Sequence, residues 1–369
     1  MKRKDLRKLI IVVSLVAVLA IAVPLGAGCL PRAAPPEVAP PEVAPPEEVA
    51  PPEAPAEEAV TYNLRFQGYH EPIELGEYFG YLWEDIEVMS QGRLKITPYA
   101  MDELVAHTDA LTAIQTGTLD IALWGSALNP ITETAPFECT AAYMWKNPDE
   151  FQALYWKRGL REIFNEAYEP FNAYWITNWI DDPMSLVSIP PVNTYEDLEG
   201  LRISTMPEYV PCYGDAGAIV VEMPIEEYYI AGETGVIDAI NWASGIYYYK
   251  VGLHELFTHL VDPPMTTPWQ GNIIINKDLW DGMPPDLQKI LSYAFIQSSM
   301  DSWARQYSAY TYYTQYYDMC YLSDEDVAKL EASSRAKWAE WAERGPLAKQ
   351  AYDLMMEYFA ETEEARWYR

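Results

Sequence analysis

The 369-residue sequence predicts an α/β fold of two lobes, joined by a long connecting helix and braced by helices at the C-terminus. Three observations carry that prediction. Strand-like and helix-like segments alternate in the order that a mostly parallel sheet with crossover helices requires. The alternation runs through twice. Half of the residues are hydrophobic, enough apolar surface for two cores of ordinary domain size.

The first 28 residues have the order of an export signal. A basic start (Lys2, Arg3, Lys4) leads into the apolar run Leu9 to Val23, then Gly26-Ala27-Gly28 before Cys29. The run is shorter than the roughly 20 residues that a membrane-spanning helix needs, so the segment reads as one to be cleaved. From Pro31 to about Ala59 a proline and glutamate tract repeats PPEVAPPEVAPPEEVAPPEAP, an extended tether at about 3.1 Å per residue.

The folded body begins near Thr61. Tyr62 to Phe66 alternates as a strand, Leu75 to Met89 has helical spacing, and Gly92-Arg93 turns into a second strand through Thr97. A helix over Ala110 to Gln115 is closed by Gly117, and Leu119 to Trp124 reads as a buried strand. The pattern then restarts. Tyr174 to Trp179, Leu201 to Thr205, Ile219 to Glu222 and Ile237 to Trp242 read as strands, with a helix over Ile225 to Gly232. Gly271 to Asn276 is a last strand, and Pro284-Pro285 opens a helix whose periodicity runs through Leu287, Leu291 and Phe295 into Trp303, Tyr307, Tyr310, Tyr313 and Tyr317. Ser323 is placed to cap the first of two tail helices, which are parted by Gly345-Pro346. The domain reading is therefore 1–28 signal peptide, 29–59 tether, 60–173 with about 268–300 first lobe, 174–267 with about 301–322 second lobe and strut, and 323–369 C-terminal helices.

A net charge of −30 repels nucleic acid and anionic lipid. The cysteines at 139, 212 and 320, an odd number without C-x2-C spacing, make neither a metal site nor a disulfide framework and allow at most one structural pair. His107, His254 and His259 are scattered without ligand spacing, while His70 and Glu71 follow the first strand and face the expected cleft. Aromatic and polar residues collect at predicted strand ends: Trp124 and Ser126; Trp175, Asn178 and Trp179; Met206 and Tyr209; Asn241 and Trp242; Trp269 and Asn272. Indoles beside amides suit a polarised, partly apolar small molecule, and no catalytic residue is expected.

The segments Ser90-Gln91-Gly92-Arg93-Leu94-Lys95-Ile96, Ala113 to Ala122, Tyr195 to Ile203, Val221-Glu222-Met223-Pro224, Gly232 to Ala239 and Ile274 to Trp280 continuing to Leu291 resemble, in order and spacing, the DctP-type solute-binding proteins of TRAP transporters (tripartite ATP-independent periplasmic transporters). The resemblance covers roughly Leu64 to Ala294. It implies a periplasmic-binding-protein (Venus flytrap) fold that closes around one small organic solute and delivers it to the membrane subunits of a TRAP transporter, without enzymatic activity. The small residues before Cys29 resemble a lipoprotein signal, with Gly26 in place of the usual branched residue, which implies a lipid-anchored protein in the periplasm or at the cell surface.

One departure bears on the ligand. Where the resemblance places a carboxylate-gripping arginine, two residues beyond Arg202, this chain has Ser204, and a second arginine expected on the strand Tyr174 to Trp179 is also absent. A bidentate guanidinium contact gives two charge-assisted bonds of about 1.5–3 kcal/mol each, against about 0.5–1.5 for one hydroxyl bond. Either Arg202 reaches over Ser204, or the ligand is neutral, cationic, or an anion accompanied by a metal ion. No cofactor beyond such a bridging cation is implied. Asn241-Trp242 stands where the branch that binds 2-oxo acids with a cation has an acid and a tryptophan, and Glu222 is a candidate partner for a cationic ligand. Two rival classes remain: an ABC-type binding lipoprotein, which shares the two-lobed shape, and a tethered glycosidase, for which no carboxyl pair can be picked out.

Overall fold

The computed structural model describes residues 60–126, 130–138 and 142–364. The expected signal peptide, Cys29, the tether and Cys139 lie outside them. Eleven strands follow one another among the described residues: β1 (Tyr62–Gln67), β2 (Leu94–Tyr99), β3 (Ile121–Trp124), β4 (Ala173–Ile180), β5 (Val187–Ser188), β6 (Arg202–Thr205), β7 (Ile219–Val220), β8 (Ala239–Asn241), β9 (His259–Asp262), β10 (Gln270–Asn276) and β11 (Asp318–Tyr321). They form a five-stranded sheet, β2-β1-β3-β10-β4, and a six-stranded sheet, β11-β9-β5-β8-β6-β7.

Most neighbours are parallel, as crossover helices dictate, but β10 runs antiparallel to β3 and β4, and β5 antiparallel to β8 and β9. Both are the strands by which the chain enters a sheet from the other lobe, so they arrive in the opposite sense. The sequence reading placed Tyr174 to Trp179 in the second lobe. That is corrected: β4 pairs with β10 in the first sheet, and the chain crosses only after Ile180. The helix expected over Leu75 to Met89 is two helices, Pro72–Phe79 and Leu82–Met89.

Alternation sorts the core. In β10, Ile273 and Ile275 pack with Phe66, Phe79 and Phe295 on one face, while Ile274 joins Trp124, Trp175 and Phe164 on the other. In the second sheet Ile203 and Ala239 face one cluster, with Tyr209 and Leu330, and Ile240 and Leu260 face another, with Tyr228 and Tyr313. The helix Pro285–Tyr313, about 43 Å long at 1.5 Å per residue, links the lobes. Its buried side begins with Leu287, Leu291 and Phe295 against the first sheet, turns polar at Ser298, Ser299, Ser302 and Gln306, and ends with Tyr313 in the second lobe. Of the expected aromatic stripe, Tyr313 and Tyr317 are buried but Tyr307 is exposed. Ser323 caps Asp324–Trp341 reciprocally with Asp326, and the last helix, Pro346–Glu364, packs on Leu160–Tyr168 of the first lobe.

Candidate ligand-binding crevice

β4 is buried along almost its whole length until it meets Asp181-Asp182-Pro183, where it leaves its sheet. There the outgoing segment pairs with the returning one. Trp269 C=O accepts the Asp181 N–H at 2.9 Å, and Met184 C=O accepts the Met265 N–H at 2.8 Å. The long helix steadies this crossing, since Ser299 Oγ accepts the Ile180 N–H at 2.9 Å.

Around the crossing, parallel strands of both sheets end. β1 runs into Tyr69 and His70, β6 into Met206, β8 into Trp242, and such carboxyl ends are where loops are free to meet a ligand. Tyr69 lies edge-on to Trp269 at 5.2 Å and donates from its hydroxyl to Asp181 at 2.9 Å. Gly271 makes room for that ring, because a Cβ there would stand 2.7 Å from the Tyr69 hydroxyl. His70 Nε2 sits 3.3 Å from the same carboxylate. Burial alone would lift the Asp181 carboxyl, but His70, the Asp182 amide and Tyr69 outweigh it and hold it below the usual carboxylate range. Burial, and then the charge of Asp181, push Asp182 well above that range although Ser244 Oγ donates to it. Asp182 Oδ1 has no partner among the described residues. Burial also raises Glu74, in the helix after His70.

The sequence-predicted residues divide. Trp269, Met206, Tyr209 and Trp242 converge in one cluster that also takes in Tyr69, Tyr143 and Met184. Asn241, wholly buried at the end of β8, finds no partner for either side-chain amide atom among the described residues, although Thr205 Oγ1 donates to its backbone carbonyl at 3.0 Å. Ser204 is also buried and donates to the Tyr228 hydroxyl at 3.2 Å. Asn178 is tied to Gln270 at 2.9 Å and to Gln152 at 3.0 Å.

Other candidates lie apart from this convergence. Trp175 stacks on Phe164 at 4.7 Å and Trp179 on Phe79 at 4.3 Å, so both fill core, as does Trp124. Asn272 donates to Glu138, a wholly buried carboxylate that also accepts from Thr132, Thr134 and Tyr168; burial raises that carboxyl in spite of these donors. Ser126 is buried beside the same network and donates to Ala135 C=O at 3.3 Å. Arg202 does not reach over Ser204: its guanidinium is held by Asp238 and by Gly235 C=O at the start of β6. Glu222 is exposed. Sequence reasoning missed Tyr69, Glu74, Asp181, Asp182 and Ser244; an acidic pair closing a mostly apolar strand was the one signal on offer.

Among the described residues no group of three or more His, Cys, Asp or Glu is arranged to hold a metal ion, no helix is long and apolar enough to cross a membrane, and Cys212 and Cys320 are free and buried.

Comparison with known proteins agrees with this layout. The profile of bacterial extracellular solute-binding protein family 7, DctP, matches residues 74–345. A monocarboxylate 2-oxoacid-binding periplasmic protein of Nostoc sp. is 24% identical over 250 residues, 64% of this chain and 66% of its own. The chain thus spans just under two thirds of that relative. A TRAP periplasmic solute-binding protein of Chromohalobacter salexigens, solved with (S)-(+)-2-amino-1-propanol, superposes with a TM-score of 0.70 at 23% identity over 85% of this chain and 99% of that one. One from Colwellia psychrerythraea, with calcium and pyruvate, gives 0.69 at 17% over 82% and 95%. At these identities the structures establish the two-lobed fold. The family profile spans far more than half of the sequence, and by that measure the chain belongs to bacterial extracellular solute-binding protein family 7, the DctP family.

Proposed function

We propose that this protein is an extracytoplasmic receptor that captures one small organic solute in the crevice between its two sheets and hands it, chemically unchanged, to the membrane subunits of a TRAP transporter. The observation that carries the reading is Asn241. A fully buried amide with no partner for either polar atom costs about 1–3 kcal/mol for each group left unmade, and its place at the end of β8, beside the paired crossing, is where a ligand would meet it. The solute would lie among Asn241, Trp242, Trp269, Tyr209, Met206 and Ser204, with closure about the two crossing segments and the long helix burying it. The family and the resemblance around Cys29 support a lipid-anchored protein held off the membrane by its proline-rich tether. The amide at position 241, where the resemblance places an acid, favours capture without a bridging metal ion.

Small-angle scattering and thermal-shift measurements across organic acids, amino acids, sugars and amines test this. One class of solute should compact the protein and raise its melting temperature one-to-one with no product formed, and chelation of metal ions should leave affinity unchanged. Turnover of the stabilising compound would exclude a receptor.

A further inference from the structure

The mouth of the crevice is acidic and aromatic. From the first lobe, Glu71 and Glu74 flank the start of the helix Pro72–Phe79. From the second, Trp242 and Tyr247 are half-buried with ring centroids 6.3 Å apart. These two sides meet at the crossing: Ser244 Oγ donates to Asp182 and accepts the Tyr247 N–H at 3.2 Å, and Lys250, in the same helix as Tyr247, reaches Glu77, in the same helix as Glu74, at 2.9 Å. Asp181 and Asp182 form the floor, and Asp182 feels both Asp181 and Glu74.

Positive charge to balance these acids is scarce. His70 lies against Asp181, and Lys250, on the helix that carries Tyr247, is bonded to Glu77 at 2.9 Å. Every arginine among the described residues is bonded elsewhere: Arg65 to Asp120, Arg93 to Asp286, Arg158 to Glu361, Arg161 to Tyr174, Arg202 to Asp238, Arg305 to Asp301, Arg335 to Glu331 and Arg344 to Pro130 C=O. An anion entering this crevice would meet the Asp181 carboxylate and be gripped by no guanidinium. A cation would favour the ionised forms of Asp182 and Glu74 and lie against two ring faces, a contact worth about 0.5–2 kcal/mol. Asp182 Oδ1 has no partner among the described residues, and, independently of the acids, neither has the side-chain amide of the wholly buried Asn241 next to Trp242.

We propose that the crevice selects a solute bearing a positively charged amine, which sits between the Trp242 and Tyr247 rings and the carboxyl groups of Glu74 and Asp182, while Asn241 binds a neutral polar group of the same molecule. This rests on the receptor reading and narrows its substrate class.

Compounds matched in carbon frame and differing in charge decide it: ethanolamine, ethylene glycol and glycolate; putrescine, 1,4-butanediol and succinate; choline and 3,3-dimethyl-1-butanol. Each is added to the full exported chain in a thermal-shift assay, with native mass spectrometry of the freshly purified protein to identify any co-purified solute. The expected result is that an amine raises the melting temperature while its matched alcohol and acid do not, or that the co-purified solute is a cation. Glu74→Gln and Asp182→Asn should each weaken amine binding tenfold or more, with melting temperatures of the ligand-free variants no lower than the parent's. Stabilisation by an acid or an alcohol but not by its matched amine, an anionic co-purified solute, or amine binding indifferent to both substitutions would overturn the charge assignment and leave the receptor reading intact. Silence from every compound together with an empty purified protein would overturn the receptor reading, and the charge assignment with it.

Discussion

Asp182 makes the crossing between the lobes sensitive to pH. Its carboxyl is raised by burial and by Asp181, so between the usual carboxylate range and its own higher value the unfolded chain has released a proton that the folded chain retains. Stability from this group is therefore complete in acid and is lost as pH rises through that window. Asp182→Asn removes the dependence while keeping an acceptor for the Ser244 hydroxyl. Urea unfolding at pH 4 should find parent and variant alike, and the variant should gain an increasing advantage toward pH 8; a gap that narrowed with pH would refute the assignment. Asp182 was not legible in the sequence, since a strand-end acid is ordinarily solvated, and only the returning segment 265–269 buries it. Asn241 and Trp242 were legible as strand-end polar and aromatic residues. Trp175 and Trp179 satisfied the same rule and proved to be core, because β4 is covered on both faces by helices that its own sequence does not announce.

At the scale of elements, close approach is what turns local preference into this architecture. Gly245 opens the short helix Gly245–Lys250 where the long helix ends, and a Cβ there would stand 2.7 Å from Tyr313 Cε2 and 3.2 Å from Leu260 Cδ1. Tyr313 is wholly buried, so neither neighbour can step aside into solvent. Gly245→Ala should destabilise the protein by about 1–3 kcal/mol through overpacking, read as a lowered urea midpoint with unchanged slope. No change would mean that the long helix is held to the second lobe less tightly than its contacts indicate. That helix was foreseeable from Pro285 and its apolar periodicity, but its polar middle was not. Ser298, Ser299 and Gln306 interrupt the stripe to meet distant partners: Ser299 accepts from Ile180 at the crossing, and Gln306 donates to the Tyr78 hydroxyl at 2.8 Å. The tail helices followed the sequence more closely, since the Ser323–Asp326 capping box is a local device.

Over the whole molecule, acids outnumber bases by 30, and like charges at that density oppose the compact state. Salt screens such repulsion over about 10 Å at 0.1 M and about 3 Å at 1 M. The melting temperature without ligand should rise between about 0.01 and 0.5 M sodium chloride, and a fall would show that the ion pairs, such as Arg202–Asp238, matter more than net charge. Alternation of strand and helix, the doubled grammar, the caps and the missing arginines were all determined by sequence, because each depends on residues near one another along the chain. Which sheet receives β4, where the chain crosses, and that Tyr69 and His70 meet Asp181 while Ser244 meets Asp182 were decided only by the tertiary structure. Tyr69 and Asp181 lie 112 positions apart, and neither periodicity nor composition records which distant segment comes to meet a given carboxylate.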